Sequence, residues 1–419
     1  MQRSAFPGGG TGSGDERAGH DRIVAEPEPV RGVVAPDSVE LAETASHWKS
    51  AYVHIPFCRR RCPYCDFAVV TPEEGGNPYD ITRYVQALIA EIGMEPFWPA
   101  LDAVNLGGGT PSSVPVSALE AVLDSLRRRF GLAPDAEISL EANPEDWEGE
   151  YAEQVRAAGF GRVSLGVQSF DAGVLAALGR WHAPEDGADA VRIAQAVGFE
   201  SVSLDLIFGT PGETLDSWRS TVERALALQP DHLSAYSLTV ERGTELSRRV
   251  LAGDPAPDPD DLADKYEFVA AAAVAAGMVR YEVSNWARPG HHCRYNLSTW
   301  GRGEYVAFGL GAHGHRRGIR RRNVRRLDVY LDRVARGERP EAGSDVVAGW
   351  PAEQERLMLG LRRTAGVESG EAGTALMDSA AGRRLAALGL VEVIDGRLRV
   401  ADPLLTDAVV REVLALDAP

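Results

Sequence analysis

The chain has 419 residues, 44% hydrophobic and 25% charged, an ordinary globular composition in a length that predicts one large domain and a smaller one. Its formal charge of -17 argues against a nucleic-acid partner, which needs concentrated Lys and Arg, and no apolar run is long enough for a membrane span. Four cysteines cannot build a disulfide framework; three fall between Cys58 and Cys65, which fits metal ligation in a reducing cytoplasm.

Residues 1–48 read as a disordered tail: Pro7-Gly8-Gly9-Gly10 and Glu26-Pro27-Glu28-Pro29 bring no repeating apolar face, and no apolar core of a secretory signal follows. Residues 49–336 read as the main domain. Its strand candidates are Tyr52–Phe57, Ala103–Leu106, Glu137–Glu141, Arg162–Val167, Ser201–Phe208 and His232–Leu238, with amphipathic stretches such as Tyr79–Glu91, Val116–Arg129 and Leu215–Leu228 between them. Six β-then-α units in series predict an α/β fold with a parallel sheet and right-handed crossovers. Strand ends rich in Gly, Asn, Gln and Asp point to a partial (β/α)6 barrel with its site at the C-terminal strand ends; an open two-sided sheet is the alternative. A Pro/Asp-rich break at Asp254–Asp261 precedes an Ala-rich helix to Ala276 and an extended piece at Val279–Ser284. Residues 337–349 read as a linker. Residues 350–419 carry two helical patterns and a hairpin signal, Asp395-Gly396 between apolar runs, so a small winged-helix-like domain is expected. Its acidic excess favours a packing or substrate-covering role over DNA binding.

Cys58-Arg-Arg-Arg-Cys62-Pro-Tyr64-Cys65 has the spacing C-x3-C-x2-C just after the first strand. Three thiolates on one tight loop can each ligate one iron of a [4Fe–4S] cubane and leave the fourth iron open. S-adenosylmethionine (SAM) can chelate that iron through its amino and carboxylate groups, and an electron from the cluster then cleaves its sulfonium bond. Structural zinc, the competing reading, wants four ligands in paired spacing, and the remaining Cys293 is distant.

Polar residues close the following strands. In Asn105-Leu-Gly107-Gly108-Gly109-Thr110-Pro111, consecutive glycines would let backbone approach a ligand and donate N–H groups. Glu141 could take an ammonium or a ribose hydroxyl. Gln168 ends the fourth strand, Arg180 follows a short helix later, and Asp205 sits in an apolar run where a carboxylate needs a partner, ligand hydroxyls being one choice. Each alone is better read as a polar strand cap; their recurrence on successive units favours a ligand.

Tyr52-Val-His-Ile-Pro-Phe-Cys58 and the cysteine loop resemble the opening of the coproporphyrinogen III oxidase-like radical SAM proteins, which include the oxygen-independent oxidase and the HemW heme chaperones; the resemblance runs from Ala51 to the C-terminus. It implies a [4Fe–4S] cluster on Cys58, Cys62 and Cys65, and SAM against Gly108, Gly109 and Thr110. It adds Tyr52 and Tyr64 as contacts and allows a second SAM near Gln168, Arg180 and Asp205. The catalytic residues stay unassigned. The oxidase usually has another cysteine soon after the third ligand, where this chain has Asp66-Phe67-Ala68, so the resemblance leans to the chaperone branch: heme bound and passed to an acceptor protein, with an electron donor for the cluster. Oxidative decarboxylation of porphyrinogen propionates to vinyl groups is the alternative. The His-Asn-x-x-Tyr-Trp heme motif of the chaperones is altered here to Tyr295-Asn296-Leu-Ser-Thr299-Trp300, which makes Tyr295 the first candidate heme ligand, with His291, His292 and Cys293 in reserve. The arginines between Arg316 and Arg326 read as a propionate clamp or as a solvated surface hairpin.

Overall fold

A twelve-stranded sheet organises the computed structural model, which describes residues 37–72 and 79–418. Its central strands are β1 (Lys49–Ile55), β2 (Leu101–Gly108), β3 (Leu132–Ala142), β4 (Arg162–Gln168), β5 (Ser201–Phe208) and β6 (His232–Ser237). They are parallel, and each lies beside its successor. A doubly wound sheet would reverse its strand order at a switch point; here the order never reverses, so the winding is that of a partial (β/α)6 barrel.

The strand sequences dictate which way each side chain points, because successive residues face opposite sides. Along β4, Val163, Leu165 and Val167 are fully buried in the main core, while Ser164, Gly166 and Gln168 line the interior cavity. The same alternation puts Val202, Leu204 and Leu206 of β5 in the core and sends Asp205 and Ile207 to the cavity. These two strands are thus apolar toward the main core and mainly polar toward the barrel axis.

Neither edge of the half-barrel closes on the other. Later chain extends both, with β7 (Val279–Glu282) and β8 (Asn285–Ala287) beside β6, and β9 (Glu304–Phe308) parallel to β1. Beyond β9 come β10 (His313–Arg316), β11 (Ile319–Asn323) and β12 (Glu341–Val346). The strand β12 lies inside the stretch expected to be a linker. Its Gly, Ser and Asp carry little β preference, and it is a strand because β11 offers an open edge. The first 36 residues of the expected tail lie outside the described residues, but Asp37–Ala45 is helical and Arg397 pairs with Glu43.

From Trp350 four helices pack around Leu357, Leu376, Leu398, Val409 and Val413. A three-stranded sheet completes this unit: β13 (Val367–Glu368), β14 (Val391–Ile394) and β15 (Arg397–Val400). The expected hairpin turn is present, with Asp395 and Gly396 both left-handed (φ 50° and 75°), the geometry of a type I′ turn.

Candidate cluster and cofactor site

The cluster loop leaves β1 at Pro56 and is tied at its neck, where Cys58 N–H donates to the Val70 carbonyl (3.1 Å) and Val70 N–H to that of Pro56 (2.8 Å). Across it, the Arg61 guanidinium donates to the carbonyls of Phe67 and Val69 (3.2 and 3.1 Å). Cys58, Cys62 and Cys65 are half-buried free thiols on one cavity of about 420 Å³ at the C-terminal strand ends. Thr110 Oγ1 donates to Cys58 Sγ (3.4 Å) and the Arg180 guanidinium approaches Cys62 Sγ at 4.0 Å. Burial pushes the Cys58 thiol up to about 11 and raises Cys65 as well, so ligand binding must displace protons there. No three His, Cys, Asp or Glu among the described residues converge closely enough to hold a single metal ion. A cubane asks for something wider, one thiolate per corner. Three free thiols with hydrogen-bond donors beside them fit that group, and Cys293 is buried elsewhere, beside Arg162 and Glu137.

Of the residues singled out in the sequence, Tyr64, Gly108, Gly109, Thr110, Glu141, Gln168, Arg180 and Asp205 line this same cavity. Several do so for reasons other than those expected. The glycines answer to packing: a Cβ on Gly107 would strike the Glu141 carboxylate, one on Gly108 the His54 ring, and one on Gly109 the Pro56 backbone. Their N–H groups are also committed, since Gly108 donates to Glu141 Oε2 (3.1 Å), Gly109 to the Ile55 carbonyl (2.8 Å) and Thr110 to that of Phe57 (2.8 Å). The N–H groups of the turn therefore fix the cluster loop and the Glu141 carboxylate instead of being offered to a ligand. Asn105 Nδ2 also donates to Glu141 (3.2 Å), while burial raises that carboxyl above the ordinary range. Asp205 has partners within the chain, Ser164 Oγ (3.0 and 2.9 Å to its two oxygens) and Ser203 Oγ (3.4 Å), so its burial by itself demands no ligand.

Gln168 closes β4 in a left-handed conformation (φ 64°), a strained choice for a residue with a side chain and one common at sites. Arg180 donates to Asn143 Oδ1 (2.6 Å) and the Gly166 carbonyl (3.0 Å), which holds its charge beside Cys62. Tyr52 does not line the cavity. Its hydroxyl bonds to His54 Nδ1 (3.1 Å), and His54 Nε2 reaches the Ala68 carbonyl (2.9 Å). A carbonyl only accepts, so Nε2 carries the proton and Nδ1 accepts from Tyr52. Burial depresses His54 to about 4 and keeps this ring neutral. Tyr52 thus acts on the cluster loop through His54.

The heme-motif candidates are less open than expected. Tyr295 stacks on Tyr52 (centroids 6.0 Å apart, 23° between planes), with Tyr305 edge-on behind it. His292 lies edge-on to Tyr281 at 5.0 Å, and Cys293 is 6% exposed. Cavity residues not singled out include Asn143, Ser164, Ile207 and Tyr236. Their signal was the alternation: each falls in phase with an inward-facing residue of its own chain segment, Asn143 with Glu141, Ser164 with Gln168, Ile207 with Asp205 and Tyr236 with Ser234.

Comparison with known proteins agrees with this construction. The family model described as "Radical SAM superfamily" matches residues 52–225, and membership implies a [4Fe–4S] cluster and SAM. The protein named "Heme chaperone HemW" of Mycobacterium tuberculosis (strain ATCC 25618 / H37Rv) is 43% identical over 374 residues, covering 87% of this chain and 94% of that protein. Its namesake in Bacillus subtilis (strain 168) is 37% identical over 328 residues, covering 76% and 84%. Among solved structures, coproporphyrinogen III oxidase (HemN) from Escherichia coli superposes with a TM-score of 0.74 at 22% identity, over 90% of this chain and 92% of that one; at that identity it speaks for the fold alone. With three cysteines on the loop after β1, a partial barrel around the cavity and near full-length similarity to these relatives, the chain belongs to the HemW family of the radical SAM superfamily.

Proposed function

We propose that this chain holds a [4Fe–4S] cluster on Cys58, Cys62 and Cys65 with SAM in the adjoining cavity, and that it binds heme and passes it to an acceptor protein. The observation that carries the reading is the 43% identity along 94% of a relative named a heme chaperone. In the same reading the protein works in the cytoplasm with an external electron donor, and residues 350–419 form a separate covering domain. No helix among the described residues is long and apolar enough to cross a membrane.

When bound, the cluster supplies single electrons to SAM. The chain's own residues do the holding. Glu141, fixed by Asn105 and Gly108, offers a carboxylate to the SAM ammonium, which would pull its raised pKa back down. Asp205 keeps acceptor capacity for ribose hydroxyls beyond its serine partners. Tyr64 and Ile207 supply walls, and Arg180 sets a positive charge beside Cys62.

The second reading is porphyrinogen oxidation, the alternative that the sequence resemblance left open. One experiment separates the two. Anaerobically reconstituted protein is titrated with heme and, separately, incubated with coproporphyrinogen and SAM. Stoichiometric heme uptake without vinyl product supports the chaperone reading; vinyl product with 5′-deoxyadenosine and no specific heme uptake overturns it.

A further inference from the structure

The arginine-rich hairpin holds an arrangement that the cluster cavity does not use. Four of its arginines are neutralised locally: Arg316 by Glu95, Arg320 by Glu355, Arg321 by Glu341 and Arg326 by Asp328. Arg322 and Arg325 are exposed and have no carboxylate partner among the described residues. Across from Arg322 stands an exposed histidine. His313 pairs with Arg322 across β10 and β11, so the two side chains share one face of the sheet.

This face abuts the cluster loop. Arg325 donates to the Asp66 carbonyl, and a Cβ on Gly311 would touch Ala68. Phe67, between those two loop residues, has 56% of its surface exposed, an unusual position for an unpartnered ring beside uncompensated cations. Partial burial and then Arg322, Arg325 and Arg320 lower the His313 pKa, so its imidazole is neutral and its lone pair free near neutral pH.

An exposed imidazole, two guanidiniums without a carboxylate partner and an open aromatic ring match one ligand class: an iron tetrapyrrole with an axial position and two propionates. We propose that heme docks on this face, with its iron on His313, its propionates on Arg322 and Arg325, and its apolar edge against Phe67. The inference rests on the heme-binding reading above and moves the ligand away from Tyr295, whose ring is packed between Tyr52 and Tyr305. It sets cargo and cluster on two sides of one loop, since Asp66 and Phe67 also line the cavity.

The test is ferric heme titrated into the reconstituted full chain, following the Soret band and the affinity. His313→Ala should shift the band and weaken binding by more than tenfold. Arg322→Gln should leave the band in place and weaken binding about tenfold, the worth of one charge-assisted hydrogen bond. Heme dimethyl ester should bind wild type weakly and be indifferent to Arg322→Gln. The cluster absorption, retained in both variants, reports that the loop is intact. If wild type binds heme and His313→Ala matches it in band and affinity while Tyr295→Phe shifts the spectrum, the site is wrong and the heme-binding reading stands. If wild type takes up no heme, that reading falls and the site with it.

Discussion

The two halves of the barrel interior are both polar, yet they are built to opposite ends. In the lower half Arg162, 3% exposed, lies 3.7 Å from Glu137 and donates to Ser201 Oγ (3.0 Å) and the His291 carbonyl (2.9 Å). His232 bridges Ser203 Oγ and the Tyr281 hydroxyl, each at 2.8 Å, and burial drives its pKa well below the ordinary value. The helix Arg294–Trp300 caps this half, its first N–H donating to Glu137 (2.9 Å). In the upper half the chain supplies fewer partners and leaves an open volume. Arg180 Nε, though buried, has no hydrogen-bond partner among the described residues. An inward-facing polar residue is therefore no mark of a binding site by itself; what separates the halves is whether the chain answers it.

Four perturbations press on that contrast. The greatest effect belongs to the cluster ligands. Replacing Cys58, Cys62 or Cys65 by Ala should abolish the visible absorption of a reconstituted cluster and its iron, about four per chain for one cubane. Cys293→Ala, in the lower half, should leave both unchanged; loss of iron there would break the division. Next, Arg162→Met removes one partner of a buried pair and should cost about 3–5 kcal/mol in chemical denaturation, with SAM affinity intact in the folded protein. A changed SAM affinity would mean that the lower half is not purely structural. Glu141→Gln keeps shape and removes charge in the upper half. SAM binding measured by calorimetry should weaken about tenfold while stability and cluster hold.

The smallest effect is a pH slope. The His54 pKa is depressed from 6.5 to about 4, so the unfolded chain takes up a proton first as pH falls. Stability is then full above the unfolded pKa and declines below it, by about 1 kcal/mol between pH 6.5 and roughly 5.5. His54→Gln should flatten that part of the wild-type curve, and equal slopes in the two proteins would remove His54 as the neutral link between Tyr52 and the cluster loop.

The six barrel strands were legible because each is a short apolar run ending in a polar or glycine signal. The cavity residues at those ends were legible for the same reason. The reasons assigned to them were less so. Gly108 and Gly109 were read as room for a ligand, but the side chain and backbone that they clear, His54 and Pro56, come from the end of β1 and the residue after it, a full β–α unit away in sequence. The serines that satisfy Asp205 lie on β4 and β5, and no local pattern announces which strands will be neighbours. Tyr295 looked open in sequence; its ring stacks on Tyr52, more than two hundred residues upstream, which no local pattern announces. The strand β12 escaped notice since edge pairing, and not its own composition, extends it.

The pairing of β1 with β9 also bears on how the protein is made. Lys49 meets Glu304 across 255 residues of chain, and β1 carries the cluster loop at its end. At about 5–20 residues per second, the ribosome needs on the order of 10 seconds to a minute to supply that partner. Until then β1 is an open edge, and the loop bearing the three cluster cysteines is anchored from one side only. Iron delivery to a nascent chain that still lacks β9 would meet an incomplete socket, so maturation belongs after β9 has emerged, and a chain truncated before β9 should accumulate without metal.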